Sequence, residues 1–316
     1  MPKWGRKRPR RLVFAIGLYT IGAGLYDMVY PAVTQNLREK VNLKERYGAG
    51  TWVVITGASN DLGREFASHF NSQGFNLLLV DSDPEQLAQV REKTLAQPLS
   101  TDSKVHTVVF DLKKSSHWQD YESLAASIKE ITQDGTSILV NNAEEFDPHG
   151  PKIHRQKDED VLGTLTINTF PMIFMTRFLG PDLKKRSGEH SKSAIINMTS
   201  YYSTFNVTNA PIYSSSKAFE DVFSQILGYE NSDIDVLTVK NMPVYSPQHP
   251  NGVSSKEIID GIMRDLGQER ISYGHWKHAA LRYWILWRQC QWWFRPQPGQ
   301  PACRGGSCPF SKFKFW

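Results

Sequence analysis

Short apolar runs alternate with amphipathic segments through the middle of this chain, and no other feature restricts its fold so tightly. Residues 51–56 (TWVVIT), 76–81 (NLLLVD), 105–111, 137–142 (SILVNN), 193–199 and 235–240 read as strands. Between them, residues 62–71, 84–95, 117–132, 170–182 and 212–228 carry helical spacing. Apolar strands recurring between helices predict an α/β fold with a doubly wound parallel sheet and helices on both faces. The chain of 316 residues has room for one such domain plus extensions at each end.

The ends differ from the middle in charge. Residues 1–11 hold six Lys or Arg and residues 271–316 hold seven, with no acid in either, which leaves 24 basic against 32 acidic residues between them. Basic ends on an acidic body suit contact with anionic lipid, and no nucleic-acid partner is expected. Residues 12–33 contain one charge, Asp27, and follow the basic cluster as a membrane-type helix would. Six of the nine tryptophans lie at or after Trp276, and Tyr283, Leu286, Trp287, Cys290, Trp293 and Phe294 form one helical stripe. That stripe suits either a membrane surface or a protein partner. The division expected is therefore a basic N-terminus (1–11), a membrane-type helix and linker (12–45), an α/β domain (46–278) and a Trp-rich amphipathic helix with an irregular tail (279–316). Three cysteines make no disulfide framework, and Cys303 and Cys308 lack a nearby histidine, so no metal site is expected.

The first strand runs into Thr56-Gly57-Ala58-Ser59-Asn60-Asp61-Leu62-Gly63 and then a helix. A strand, a glycine turn and a helix form a dinucleotide fingerprint, in which helix N-terminal N–H groups meet the pyrophosphate. Asp81 ends the second strand, where an acid accepts from a ribose 2′-hydroxyl. It favours NAD over NADP, because a 2′-phosphate is repelled. Asp111-Leu112 follows the third strand at the place of an adenine contact. Either acid also reads as a plain helix cap.

Together with Asn141-Asn142-Ala143, Asn168, Ser200 and Tyr213-Ser-Ser-Ser-Lys217, this turn resembles the short-chain dehydrogenase/reductase family. The resemblance covers roughly residues 45–285 and is nearest to membrane-bound very-long-chain 3-ketoacyl-CoA reductases and 17β-hydroxysteroid dehydrogenases. Tyr47-Gly48-Ala49-Gly50-Thr51-Trp52 and Met175-Thr176-Arg177-Phe178-Leu179-Gly180-Pro181 carry that nearer likeness. The resemblance implies that Tyr213 donates the proton to a carbonyl, with Lys217 lowering its pKa and holding the nicotinamide ribose. It implies that Ser200 bonds the substrate oxygen and that Asn168 holds a water which reloads the proton. Gly57, Ser59, Asn60, Leu62, Gly63, Asn141 and Ala143 fall at the cofactor-binding positions, beside Asp81, Asp111, Leu112, Tyr213 and Lys217. Dimerisation through the two helices flanking the site is also usual there.

Several positions depart from the family pattern. Asp61 stands where the turn has its middle glycine, and facing phosphate at about 4 Å it costs on the order of 4 kcal/mol at an effective dielectric of ~20. Glu144 stands where glycine follows Asn-Asn-Ala. After the sixth strand, Pro243 to Gln248 matches the family only loosely, and the segment that builds a substrate lid is short. Two readings stay open. One is a membrane-associated oxidoreductase passing hydride between a nicotinamide cofactor and a lipid-like carbonyl or alcohol. The other is an impaired scaffold, binding no dinucleotide and serving as a subunit of a membrane complex. The endoplasmic reticulum follows from the resemblance, and the mitochondrial inner membrane is the alternative.

Overall fold

The structure, a computed structural model, describes residues 7–97, 103–133, 135–146, 151–189, 191–205, 210–242, 244, 252–282 and 285. Its sheet comprises β1 (Trp52–Thr56), β2 (Asn76–Asp81), β3 (Val105–Val109), β4 (Thr136–Asn141), β5 (Ser193–Ser200), β6 (Ile234–Asn241) and β7 (Ile271–Ser272). The spatial order is β3-β2-β1-β4-β5-β6-β7, and every neighbouring pair is parallel. The chain winds outward in one direction from β1 to β3, then crosses back to β4. Such a reversal opens a crevice at the carboxyl ends of β1 and β4.

The strands are apolar on both sides because both sides are covered. Val53 and Ile55 face Phe66 and Phe70 of α3 (Asp61–Ser72) and Ile258 of α8 (Ser255–Asp265). The intervening Val54 belongs to the opposite core, with Tyr121 of α5 (Trp118–Thr132) and Met175 of α6 (Asp158–Glu189). α4 (Pro84–Leu95) and α7 (Pro211–Glu230) complete the two layers. The doubly wound expectation holds, with two differences. α6 begins at Asp158, well before residue 170, and runs through Pro171 and Pro181. α8 and the short β7 were not foreseen, although Ile258, Ile259, Ile262 and Met263 give α8 one buried apolar face and Ser254 and Glu257 form a full capping box at its start.

The N-terminal helix α1 (Lys7–Leu37) is longer than residues 12–33. Among the described residues no helix is long and apolar enough to cross a membrane, which leaves the spanning expectation without support. Asp27, three glycines and the tyrosines at 19, 26 and 30 dilute the sequence. Leu18, Ile21, Leu25, Val29, Val33 and Leu37 are nevertheless exposed, on one side of the helix. Its far end is tied down where Arg38 pairs with Glu269 at 2.7 Å and the Tyr30 hydroxyl donates to the same carboxylate. A further short helix, α2 (Leu43–Tyr47), leads into β1. Residues 276–282 are helical. The Trp-rich stripe from Tyr283 to Phe294, Cys303, Cys308 and Gln248 lie outside the described residues.

Candidate active site

The glycine turn follows β1 because only glycine fits it twice. Gly57 has φ +64°, and a Cβ there meets the Ala143 Cα at 2.7 Å. A Cβ on Gly63 collides with the Gly57 carbonyl oxygen and Ala58. Asn60 caps α3 by accepting from the Gly63 N–H at 2.8 Å. Gly63→Ala is expected to cost about 3 kcal/mol, the upper end for overpacking against backbone, in urea denaturation. A loss under about 1 kcal/mol contradicts this packing.

Asn142 was not among the residues expected in the site, yet it locks the turn to β4. Its Nδ2 donates to the carbonyls of Thr56 at 3.1 Å and Gly57 at 2.9 Å. The Thr56 hydroxyl accepts from the Asn142 N–H at 3.1 Å. Asn141, expected to touch cofactor, is buried in the sheet and donates to Asn197 Oδ1 at 2.8 Å. Leu62 likewise packs into the core, so of its atoms the backbone N–H is the one suited to phosphate.

A cleft of about 470 Å³ opens beside the turn, and Gly57, Ser59, Asn60, Asp81, Leu112 and Ala143 are among its walls. Asp111 lines it too and accepts from the backbone N–H of Lys113, in the manner of a turn cap. Asp81 Oδ2 accepts from the Ser59 N–H at 2.9 Å and Oδ1 from the Ser82 N–H at 2.7 Å. Its carboxylate is thereby fixed at the cleft wall. Asp61 does not face this cleft. It is 68% exposed and lies 4.0 Å from the Arg64 guanidinium. The expected repulsion of phosphate is therefore corrected: at the first helical position the carboxylate turns to water, where it complements the helix dipole.

Glu144 lies at the other end. Tyr213 and Lys217 project from α7 one turn apart, and the Lys217 Nζ lies 5.5 Å from the centre of the phenol ring. The Tyr213 hydroxyl donates to Glu144 Oε2 at 3.1 Å, and the same oxygen lies 2.8 Å from Lys217 Nζ. Lys217 also pairs with Glu220 at 2.9 Å and donates to the Met198 carbonyl at 3.3 Å. Burial and then the Glu144 charge push the Tyr213 phenol well above its ordinary pKa, although a hydrogen bond with Ser200 pulls the other way. The resemblance implies a lowered phenol pKa. In this arrangement the Lys217 ammonium is held between Glu144 and Glu220, and the phenol gains little from its charge. Burial disfavours the Lys217 ammonium, but Glu144 and Glu220 outweigh it and its pKa rises.

Asn168 and Ser200 reach the same place. Asn168 Oδ1 accepts from the Glu145 N–H at 2.9 Å, while its Nδ2 donates to the Glu145 carbonyl at 3.2 Å and to Ser216 at 3.1 Å. One amide donor is spent on the segment that carries Glu144 and the other on Ser216 of α7, where the resemblance implies a proton-relay water. The Lys113 Nζ grips Glu145 Oε1 at 2.7 Å, which pins that segment from the other side. Phe146 then lies over Tyr213 with ring centres 4.3 Å apart, and Tyr202 meets both rings. Glu220 and Phe146 were not foreseen. A carboxylate one helical turn beyond Lys217 is a visible signal for the first; nothing in the sequence marks the second.

Among the described residues no cluster able to hold a metal is present. The residues present suit a dinucleotide at the end of the cleft walled by Gly57, Ser59, Asn60 and Asp81. It does not fit at the Tyr213–Lys217 end while Glu144 occupies the partners a ribose needs.

The family model for the short chain dehydrogenase matches residues 51–250, most of the chain. This chain belongs to the short-chain dehydrogenase family. The very-long-chain 3-oxoacyl-CoA reductase of Mycosarcoma maydis is 24% identical over 285 residues, covering 86% of this chain and 77% of the relative. The inactive hydroxysteroid dehydrogenase-like protein 1 of Pongo abelii is also 24% identical, over 82% of this chain and 78% of its own length. The L-sorbose reductase of Gluconobacter frateurii, solved with NADPH and L-sorbose, superposes with a TM-score of 0.61 at 19% identity, over 72% of this chain and 96% of that one. That likeness shows the short-chain dehydrogenase fold alone.

Proposed function

We propose that this short-chain dehydrogenase binds the adenosine end of an NAD-type dinucleotide and that Glu144 holds its hydride-transfer end shut in the resting state. The single observation behind this reading is the Glu144 carboxylate, within 3.1 Å of the Tyr213 hydroxyl and 2.8 Å of the Lys217 ammonium. The substrate class is a lipid-like carbonyl of the 3-oxoacyl-CoA kind, by likeness to the reductases named above. NAD is favoured over NADP by the fixed carboxylate of Asp81. The test is oxidation of NADH with a very-long-chain 3-oxoacyl-CoA. The wild-type protein should turn over little, and Glu144→Gly should gain turnover. Wild-type turnover matching that of an active relative defeats the reading.

A second reading is favoured by the same carboxylate together with the unpartnered apolar side of α1. In it the protein is a structural or assembly subunit of a membrane complex, docked through α1 or the C-terminal extension. If Glu144→Gly binds NADH and still reduces nothing, this reading takes over. Membrane association belongs to both. The exposed Leu18, Ile21, Leu25, Val29 and Val33 follow a strongly basic start, which suits an anionic bilayer. The full chain should float with anionic lipid vesicles, and replacing Leu18, Ile21 and Leu25 by serine should weaken that binding at least tenfold, since each buried apolar side chain contributes on the order of 1 kcal/mol or more. Equal flotation of both proteins contradicts α1 as the contact.

A further inference from the structure

Lys217 has one carboxylate more than a buried cation needs. Its side chain is 0% exposed and its ammonium is already answered by Glu220, itself 2% exposed and on the same helix. Glu144 adds a second carboxylate from an irregular segment beyond β4, and it is 32% exposed. One partner is fixed inside the protein and the other stands at its edge. A buried ammonium with a single partner is stranded when that partner leaves, which is strongly destabilising. With Glu220 in place, Lys217 stays paired whether Glu144 is present or absent.

We propose that Glu220 is a positioning residue, the counter-ion that Lys217 falls back on when Glu144 leaves, and that it makes the Glu144 side chain, on a segment pinned by Asn168 and Lys113, a latch with closed and open states. Closed, Glu144 occupies the phenol and the ammonium. Open, Glu144 moves to water and both groups face the vicinal hydroxyls of a ribose, with Glu220 keeping the ammonium in position. The inference rests on the reading of the Glu144 contact as the resting, closed form.

The latch is coupled to a proton. The titratable groups facing Glu220 are Lys217, Asp221 and the neutral Tyr213 phenol on α7 and Glu144 on the latch, and Asp221 is itself paired with Lys240 of β6 at 2.7 Å. α6 presents the neutral Asn168 to this helix. Burial first, then repulsion by Glu144 and Asp221, raise the Glu220 pKa to about 8 against the pull of Lys217. Closed at neutral pH, Glu220 therefore keeps a proton. When Glu144 leaves, its repulsion goes too, the Glu220 pKa falls, and the proton passes to solvent. Opening releases up to one proton, so it grows easier with rising pH up to about 8 and is level above that.

The experiment is NADH titration of the full-length protein between pH 6.5 and 8.5 at constant ionic strength, by calorimetry in two buffers of different ionisation heat. Wild type should bind more tightly as pH rises, by up to about tenfold per unit, and release a proton. Glu220→Gln should bind more weakly, without the pH dependence and without proton release. A Glu220→Gln protein with the wild-type slope overturns the proposal. If no variant binds NADH at any pH, the functional reading has failed, and infrared spectroscopy still decides the latch. The protonated carboxyl band that Glu220→Gln removes should titrate at lower pH in Glu144→Ala than in wild type. An unchanged titration overturns the coupling of the two glutamates.

Discussion

Glu144→Gly should raise NADH affinity roughly ten- to a hundredfold, the equivalent of about 1.5–3 kcal/mol for a hydrogen bond to a charged group regained at Lys217. In the resting arrangement both the Tyr213 hydroxyl and the Lys217 ammonium are committed to the Glu144 carboxylate, at 3.1 and 2.8 Å. A ribose entering there must displace that carboxylate and then bear its charge nearby. Removing the side chain frees both partners and restores the glycine that the family keeps at this point. Asp61→Gly should change affinity less than about twofold, because a carboxylate so exposed is screened by solvent and faces Arg64. Quenching of tryptophan fluorescence by NADH separates the two variants. Equal gains from both, or none from Glu144→Gly, sink the assignment of Glu144 as the closing group.

Lys217→Met should destabilise the protein by about 3 kcal/mol at pH 8.5, the lower end for breaking a buried ion pair, and by less at pH 6. The loss follows from the two carboxylates left behind. Glu144 can turn to water, whereas Glu220 is 2% exposed and must either stay charged without a partner or take up a proton. The pKa of Glu220 is already raised to about 8, chiefly by burial, so below that pH the neutral form is at hand and the cost is smaller. The sign in the wild type is the same. An unfolded glutamate gives up its proton near pH 4.3, while the folded one holds it until about 8. That contribution to stability is full at low pH and is lost as pH rises through this window. Lys217→Met combined with Glu220→Leu should recover most of the loss, because an apolar pair of similar volume does as well as a buried ion pair. Chemical denaturation at the two pH values measures all of this. A single variant as stable as wild type at pH 8.5 contradicts the pairing.

Much of the fold was legible because it depends on local pattern. Val53, Val54 and Ile55 are apolar in succession, which only a strand covered on both faces requires, and Gly57 and Gly63 mark the turn where backbone must approach backbone. The wall of the cleft beside the turn was legible for the same reason, since Asp81 and Leu112 follow directly from strand ends. β7 was not, because a two-residue strand gains its definition from the β6 edge it pairs with, whereas α8 was overlooked despite its local capping box and apolar face. Asn141 and Asn142 illustrate the limit more sharply. The two are chemically identical neighbours, but successive strand residues point to opposite sides, and which one ties the glycine turn depends on register.

By itself the sequence determined the parallel doubly wound sheet, the glycine turn, and the presence of Ser200, Tyr213, Lys217 and Asn168 at the spacing the family uses. Periodicity and spacing are local quantities, and those features need nothing more. Only the tertiary structure decided what the two added carboxylates do. Asp61 begins a helix and turns outward to water, while Glu144 follows a buried strand and is carried inward onto Lys217, 73 positions further along the chain. Charge interactions depend on distance and on burial, and for groups so far apart in sequence both are fixed by the pairing of β4 with β5 and the packing of α7 on β5 and β6.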